Sequence, residues 1–351
     1  MTLTTSTRIT EIVMPGLTEP AGLQVQQRTL PAPSIGQALV RIDASGVSFA
    51  EQAMRKGLYP GQPKFPFVPG YDFVGTVLSI GSGVAPEFIG TRVAAVTKTG
   101  GWATHTLVPA LDLVPVPVDL DPALVETVIV NGVTAWQMLY RKAHVTAGKT
   151  ILVHGANGGV GTVLCQLALH AGVRVIGTSA TRHHAALREM GVEPIDYDAP
   201  DLAARVRALA PGGVDAAFDH LGLESCRLSF ELLAPGGSLI SYGVAAGLKD
   251  PGKAGLMALI TVFLQLIAQL TLWNFLPNAR HASFYDFWAG HMMGLTAFRR
   301  RFRNDLTALL GLLAEESITP QVAARFPLRE AGAAMTLAES RTVQGKVVIL
   351  P

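Results

Sequence analysis

The chain has 351 residues, a formal net charge of +2 at pH 7, a hydrophobic share of 49% and a charged share of 15%. This length is large for one hydrophobic core and is typical of two domains. The composition is that of a globular enzyme and argues against a nucleic-acid binder or a disordered tail. One short basic run, Arg299–Arg303, lies in a helical pattern, so we interpret it as a solvent-exposed helix face or a local ion-pair site.

The two cysteines, Cys165 and Cys226, cannot form a disulfide framework and lie in no CxxC or Cys/His cluster with metal-ligand spacing. The first 17 residues carry Thr and charge and have no apolar segment of the signal-peptide type. We therefore expect a reducing, cytoplasmic location.

The first third of the chain, residues 1 to about 126, alternates short Val/Ile/Leu runs with Gly and Pro. This spacing predicts an antiparallel, β-rich domain. The predicted strands are Arg8–Val13, Ala38–Ile42, Val74–Ile80, Arg92–Val96 and Leu107–Val116.

After Pro122, buried strands alternate with helical stretches, which predicts an α/β fold with a doubly wound parallel sheet. The predicted elements are helix Val125–Arg141, strand Thr150–His154, helix Val160–Ala171, strand Val173–Ile176, helix Arg182–Met190, and strands Val214–Phe218 and Ser238–Tyr242. The chain then closes with helix Leu295–Glu316, a short segment Val322–Pro327, helix Arg329–Ser340 and strand Lys346–Leu350.

A glycine-rich turn stands between strand Thr150–His154 and the helix that follows it. Its glycines at 155, 158 and 161 have the spacing that a dinucleotide requires, because glycine permits a tight turn and a close approach of backbone N–H groups to the pyrophosphate. The bare triplet would also suit an ordinary turn without a ligand, but the strand before it and the helix after it favour a nucleotide site. The residues predicted to bind the diphosphate are Gly155, Gly158, Gly159, Val160 and Gly161.

The segment after the second strand indicates which nucleotide is bound. NAD enzymes usually have Asp or Glu there to bind the ribose 2′-hydroxyl, and a carboxylate would repel a 2′-phosphate. This chain has Ser179, Arg182 and His183 and no acid between residues 177 and 184. We therefore expect NADP(H); the alternative is that Arg182 caps the next helix or simply faces water.

Residues 254–276 form an uncharged apolar insert that is long enough for a membrane helix. Gln265 and Gln269 share one helical face, and a single crossing would separate the C-terminal segments from the domain they must rejoin. We expect a lid or a dimer-facing helical hairpin. A flat, peripheral contact with a membrane and an ordinary buried helix are the alternatives.

Four further motifs of the chain are informative: Arg55-Lys56-Gly57-Leu58-Tyr59-Pro60, Pro69-Gly70-Tyr71-Asp72-Phe73-Val74-Gly75, His154 to Gly161, and Gly345-Lys346-Val347-Val348. With these motifs the chain resembles the zinc-free quinone oxidoreductase branch of the medium-chain dehydrogenases. Residues 177–192, 195–197 and the insert are most similar to the vesicle amine transport protein homologues. The resemblance implies a GroES-like catalytic domain at 1–126 and 293–351, a Rossmann NADP-binding domain at 127–292, and an active site between them.

The resemblance also implies the absence of a metal. Zinc-using relatives have Cys and His where this chain has Ser48 and Phe49, His where it has Tyr71, and a third ligand, usually Cys, where it has Asn131. It places Ser48, Tyr59 and Asn131 at the reacting centre and Thr134 near the nicotinamide. It adds Tyr197, Tyr242, Gly243 and Lys346 to the residues that contact the cofactor.

Without a Lewis acid, an acceptor whose electrons can flow into an enolate or quinol is chemically favoured. We therefore expect hydride transfer from NADPH to a quinone or an α,β-unsaturated carbonyl. The apolar insert implies a lipophilic acceptor, and the resemblance implies a homodimer. Tyr59 is the preferred proton donor, although it could equally be a packing residue before Pro60. The alternative function is a membrane-associated or scaffold-like cofactor-binding protein with little turnover.

Overall fold

The computed structural model describes residues 6–245 and 256–351. The chain divides into two compact units: one comprises Met1–Val133 with Gly290–Pro351, and the other comprises Thr134–Ala289. In chain order the strands are β1 Thr7–Val13, β2 Gln24–Leu30, β3 Gln37–Val47, β4 Asp72–Ile80, β5 Arg92–Val96, β6 His105–Pro109, β7 Val114–Pro115, β8 Thr150–His154, β9 Arg174–Ser179, β10 Glu193–Asp196, β11 Val214–Asp219, β12 Leu233–Ser241, β13 His281–Phe284, β14 Val322–Pro327 and β15 Lys346–Leu350. The α-helices are α1 Phe49–Arg55, α2 Pro122–Trp136, α3 Gly159–His170, α4 His184–Met190, α5 Leu202–Leu209, α6 Leu223–Glu231, α7 Leu256–Trp273, α8 Leu295–Ala314 and α9 Ala331–Ser340.

The first unit is built on a seven-stranded sheet in the order β14-β15-β3-β4-β5-β7, with β6 paired to β3. All of its pairs are antiparallel except β14 with β15. Its core contains Val40, Phe73, Val77 and Val93, each of which is at most 1% exposed. The predicted β-rich, GroES-like fold is confirmed. The strands form because branched and aromatic residues line their inward face.

The second unit is a parallel six-stranded sheet in the order β10-β9-β8-β11-β12-β13. This is the strand order of a dinucleotide-binding fold, in which the chain reverses its winding direction between β8 and β11. The predicted doubly wound fold is confirmed. In such a sheet, ligands bind beyond the carboxyl ends of the strands at this reversal point.

Two predicted elements differ from the structure. The predicted strand Leu107–Val116 is interrupted by the 3-10 turn Ala110–Asp112, and Pro109 immediately before this turn has no N–H with which to continue a ladder. The predicted helix Val125–Arg141 is α2 followed by the π-helical turn Gln137–Lys142.

The apolar insert forms helix α7, which packs by one stripe only. Leu259, Leu266, Leu270 and Trp273 are at most 9% exposed, and the Trp273 ring stacks on Phe230 with ring centroids 4.4 Å apart. The large apolar side chains that remain exposed on α7 and in the turn after it are Met257, Val262, Leu264, Leu272, Phe275 and Leu276.

The expectation of a helical hairpin is wrong for the described residues of the insert, because α7 is followed by a short turn and then by strand β13. Residues 254 and 255 of the predicted insert lie outside the described residues. Among the described helices, none has the length and hydropathy needed to span a membrane.

Candidate functional site

The glycine turn of the second unit has the geometry of a phosphate-binding loop. Gly155 has φ = 66°, a value that side chains disfavour, and Gly158 is the N-cap residue of α3. A Cβ atom at Gly161 would lie 2.2 Å from the carbonyl oxygen of Gly155, so only glycine lets α3 pack this closely on the turn. The first N–H groups of α3 and its positive end are therefore directed toward the turn, where an anion is favoured.

The turn lies at the point where the sheet reverses its winding direction. Its partner across that point is His220, which follows β11: a Cβ at Gly155 would be 2.6 Å from the His220 Cε1 atom. Tyr242 Oη is 3.4 Å from His220 Nδ1, and a Cβ at Gly243 would lie 3.1 Å from the His220 carbonyl oxygen. The structure thus brings Gly155, Tyr242 and Gly243, all predicted cofactor residues, around one histidine that the sequence analysis had not assigned.

A buried polar network holds the turn from below. The His154 ring nitrogens lie 3.1 Å from Thr178 Oγ1 and 2.9 Å from Ser229 Oγ, and the Ser229 hydroxyl donates to Asp219 at 2.9 Å. The backbone N–H of Gly155 donates to Thr178 Oγ1 at 3.3 Å. Because these side chains are at most 1% exposed and hydrogen-bonded to one another, we interpret His154 as a residue that stabilises the turn.

The predicted ribose-binding residues meet at the carboxyl ends of β9 and β10. Ser179 ends β9, and its carbonyl oxygen accepts a hydrogen bond from the backbone N–H of Tyr197 at 3.2 Å. The Arg182 Nε–H donates to His183 Nε2 at 3.1 Å. Burial lowers the pKa of His183, and the neighbouring charges of Arg182 and His184 lower it further. Arg182 therefore provides the positive charge at this position, and His183 orients it as a neutral acceptor.

One acid at this edge was missed by the sequence analysis. Asp196 ends β10 directly beside Ser179, and its carboxylate accepts hydrogen bonds from the Thr181 hydroxyl and from the backbone N–H of Asp198. These two hydrogen bonds, the first above all, lower the pKa of Asp196. The position of Asp196 at the end of a short strand that follows β9 was the sequence signal for this approach.

In the first unit, Ser48 begins helix α1. Its hydroxyl donates to Glu51 Oε2, its backbone N–H donates to the same oxygen at 2.9 Å, and Ala50 N–H donates back to Ser48 Oγ at 3.2 Å. This is a capping box, which satisfies the first N–H groups of the helix. The Ser48 hydroxyl is thus engaged in starting the helix, and burial raises the pKa of Glu51 beside it.

Two tyrosines meet close to this helix. The hydroxyl oxygens of Tyr59 and Tyr71 are 2.7 Å apart, and the two rings form an edge-to-face pair with centroids 6.2 Å apart. The Tyr71 backbone N–H donates to Glu51 Oε1 at 2.7 Å, and the Lys98 ammonium lies 5.5 Å from the centroid of the Tyr59 ring. Tyr59, the predicted proton donor, therefore has a hydroxyl partner and a cation nearby.

Lys346 lies within the first unit, inside a cluster of buried charges. Its Nζ is 2.7 Å from Glu126 Oε1 and 3.2 Å from Asp72 Oδ2, and all three side chains are at most 2% exposed. Burial opposes the charge of Lys346, but the two carboxylates outweigh that effect and raise its pKa. Because its ammonium group is already bound to these two acids, the structure does not support the prediction that Lys346 contacts the cofactor.

Helix α2 carries two further predicted residues, Asn131 and Thr134, three positions apart. They are 9% and 6% exposed, respectively. The amino end of the helix contributes Glu126 to the charge cluster, and Val130 N–H donates to Asp72 Oδ2 at 3.2 Å. The residue before Asn131 is therefore hydrogen-bonded to the buried charge cluster of Asp72, Glu126 and Lys346.

The residues present do not fit a zinc site. The resemblance places Ser48, Tyr71 and Asn131 where zinc-using relatives have ligands, and none of these three is a Cys, His or carboxylate, the ligands that tetrahedral zinc requires. The neighbouring carboxylates of Glu51 and Asp72 are already bound to Ser48 and Lys346. Within residues 6–245 and 256–351, no group of three or more His, Cys, Asp or Glu side chains could hold a metal ion.

Two family models match the chain: "Alcohol dehydrogenase GroES-like domain" over residues 34–118 and "Zinc-binding dehydrogenase" over residues 190–349. The human synaptic vesicle membrane protein VAT-1 homolog is 31% identical over 94% of this chain and 82% of its own length. A 2-haloacrylate reductase from Burkholderia sp is 30% identical over 91% of this chain and 92% of its own. The chain therefore belongs to the quinone oxidoreductase-like branch of the medium-chain dehydrogenase/reductase superfamily.

Solved structures agree with this assignment. A mycobacterial protein solved in complex with NADPH matches with a TM-score of 0.79 and 30% identity, over 98% of this chain and 100% of that one. Escherichia coli quinone oxidoreductase, also solved with NADPH, matches with a TM-score of 0.83 over 97% of this chain and 100% of that one. At 24% identity, the second match supports the fold alone.

Proposed function

We propose that this protein is an NADPH-dependent, zinc-independent reductase that delivers hydride to a quinone or an α,β-unsaturated carbonyl. The observation that carries the proposal is the turn at Gly155 and Gly161, which leaves backbone N–H groups and a helix N-terminus available to a diphosphate at the sheet reversal point.

The second unit supports the choice of nucleotide. Arg182 lies three residues after Ser179, the last residue of β9, and its Nε–H donates to His183, so its guanidinium is the cation that would attract a ribose 2′-phosphate. The Asp196 carboxylate at this edge already accepts hydrogen bonds from the Thr181 hydroxyl and from the backbone N–H of Asp198. A mycobacterial relative of 30% identity was solved with NADPH, which agrees with this preference.

The first unit supports the choice of acceptor. Since its residues do not fit zinc, no Lewis acid polarises an alcohol, and conjugate reduction is the easier chemistry. NADPH, when bound, supplies the hydride that forms a new C–H bond at the β-carbon or makes a quinone into a quinolate. Tyr59 then gives its phenolic proton to the resulting oxyanion or α-carbon and regains a proton from solvent. The names of relatives, among them "Probable quinone oxidoreductase" and "2-haloacrylate reductase", are consistent with electron-poor, conjugated acceptors.

The test is steady-state oxidation of NADPH by the purified protein with a panel of quinones, enals and enones. We expect turnover with at least one class and a higher kcat/KM with NADPH than with NADH. The absence of turnover with every acceptor, or a preference for NADH, would contradict the proposal.

A second candidate is a cofactor-binding protein with little turnover that contacts a membrane or another chain. The specific observation in its favour is the apolar outer surface of α7, where Leu264 is 60% and Phe275 is 80% exposed. Tight NADPH binding without oxidation by any acceptor, together with co-flotation of the protein with liposomes, would favour this candidate. A homodimer would also cover this surface. It stays a prediction, and the molecular mass in solution tests it.

A further inference from the structure

The resemblance places Tyr71 where zinc-using relatives have a histidine ligand, and hydrogen bonds hold its backbone on both sides. Its N–H donates to Glu51 Oε1 at 2.7 Å. Its carbonyl oxygen accepts from the N–H groups of Thr97 and Lys98 at 2.9 and 3.0 Å. The residue is 5% exposed, so its ring has little freedom to move.

The Tyr71 hydroxyl is turned toward Tyr59. A hydroxyl group on so deeply buried a ring costs free energy unless it is hydrogen-bonded, and here its partner is the Tyr59 hydroxyl at 2.7 Å. Tyr59 lies in the turn between α1 and Pro60 and is half-buried, whereas Tyr71 is 5% exposed. The hydrogen bond therefore links a partly exposed phenol to a buried one.

We propose that Tyr71 is the positioning residue of the proton donor Tyr59, which it orients through the hydrogen bond between their hydroxyl groups. This inference rests on the proposed function, because it assigns Tyr71 a part in that reaction. It gives a role to the side chain that stands where related enzymes bind zinc, and it explains why a tyrosine is suited to that place.

The hydrogen bond serves the reaction in two ways. Before proton transfer it limits the rotation of the Tyr59 phenol, so less orientational freedom is lost in the transition state. When the Tyr59 O–H bond breaks and the proton forms a bond to the product, the Tyr71 hydroxyl donates to the new phenolate oxygen and stabilises its charge. The Lys98 ammonium near the Tyr59 ring adds favourable charge, while the Glu51 carboxylate is directed to the Tyr71 backbone.

A double-mutant cycle tests this inference with Tyr59→Phe, Tyr71→Phe and the double variant, each of which removes only hydroxyl oxygens. We expect Tyr59→Phe to lower kcat about 100-fold. Tyr71→Phe should lower kcat about 10-fold, the equivalent of one hydrogen bond, with KM changed less than about 2-fold. In the double variant the loss should equal that of Tyr59→Phe within about 2-fold, because Tyr71 acts only through Tyr59.

The matched control is Tyr140→Phe, which removes a hydroxyl that donates to the Leu167 carbonyl oxygen in the second unit. This variant should show the same Tm change as Tyr71→Phe but wild-type kcat. Additive losses in the double variant would show that Tyr71 acts independently of Tyr59 and would overturn the inference while leaving the reductase activity intact. If the wild-type protein fails to oxidise NADPH with every acceptor tested, the proposed function and this inference are both overturned.

Discussion

The carbonyl oxygen of Gly155 lies where the side chain of residue 161 would begin, since a Cβ atom at Gly161 would be only 2.2 Å from it. Gly155 directly follows the buried strand β8, and residue 161 lies in the first turn of α3. A side chain at residue 161 would therefore have to displace the backbone. This contact fixes the distance between the turn and the helix, and with it the positions of the N–H groups that we propose bind the diphosphate.

Replacing Gly161 with Ala should therefore separate α3 from the turn. We expect the Kd for NADPH to rise at least about 10-fold, because the N–H groups at the start of α3 would no longer all be directed toward the diphosphate. Isothermal titration measures the change. The matched control is Gly212→Ala, where a Cβ would meet nothing within 4 Å and binding should be unaffected. Wild-type affinity in the Gly161 variant would show that the diphosphate is bound elsewhere.

Replacing Arg182 with Ala should remove the cation that distinguishes the two nucleotides. A charge-assisted hydrogen bond contributes about 1.5–3 kcal/mol, so the Kd for NADPH should rise about 10-fold to 100-fold while that for NADH stays within about 2-fold. Fluorescence titration with both nucleotides gives the ratio.

Arg205→Ala is the control for that experiment. Arg205 forms an exposed ion pair with Asp201 one helical turn away in the same unit, and such pairs contribute little. An equal loss of affinity for NADPH and NADH in the Arg182 variant would mean that this side chain contacts a part common to both nucleotides.

The charge cluster around Lys346 predicts a pH-dependent stability. Burial raises the pKa of Glu126 well above its ordinary value of 4.5, and the attraction of Lys346 only partly opposes this. A carboxyl group with a raised folded-state pKa stabilises the fold at low pH, and this contribution is lost as the pH rises through that folded-state value. Glu126→Gln cannot ionise, so its Tm relative to the wild type should increase steadily from pH 5 to pH 9.

Thermal unfolding across that pH range measures this difference. The exposed Glu87→Gln variant is the control and should follow the wild-type curve at every pH. If the Tm of the Glu126 variant fell further below the wild type as the pH rose, the carboxylate would be the stabilising form and our assignment of the shift would be wrong.

Helix α7 predicts a contrast between its two faces. Leu266 is fully buried against the second-unit core, so Leu266→Ala should lower the free energy of unfolding by about 2–5 kcal/mol. Leu264 is 60% exposed, so Leu264→Ala should change it by no more than about 0.5 kcal/mol. Chemical denaturation gives both values. A large, concentration-dependent cost at Leu264 would show that a second copy covers the outer face in solution.

Several features could be predicted from local sequence because they depend on residues that are close together in the chain. The strand, turn and helix around Gly155 follow from a short apolar run, three glycines and the helical spacing of residues 160–171. The alternation of strands and helices then restricts the sheet to the doubly wound type, and the observed strand order agrees with it.

The partners of individual side chains were not predicted, because they are far apart in sequence. Lys346 was assigned to the cofactor from a local motif, yet its ammonium lies beside Asp72, 274 residues away. Asp196 was overlooked because its approach to Ser179 depends on strand pairing. His220 reaches Gly155 only because β11 lies next to β8 in the sheet.

The sequence by itself determined the class of fold and the glycine-rich turn between a strand and a helix, since both depend on residue type and short spacing. Only the tertiary structure decided that Ser48 caps a helix, that Lys346 lies beside two buried acids and that Tyr71 is hydrogen-bonded to Tyr59. Hydrogen bonds and ion pairs depend on distances of a few ångströms between atoms, and these are set when distant strands and turns pack together.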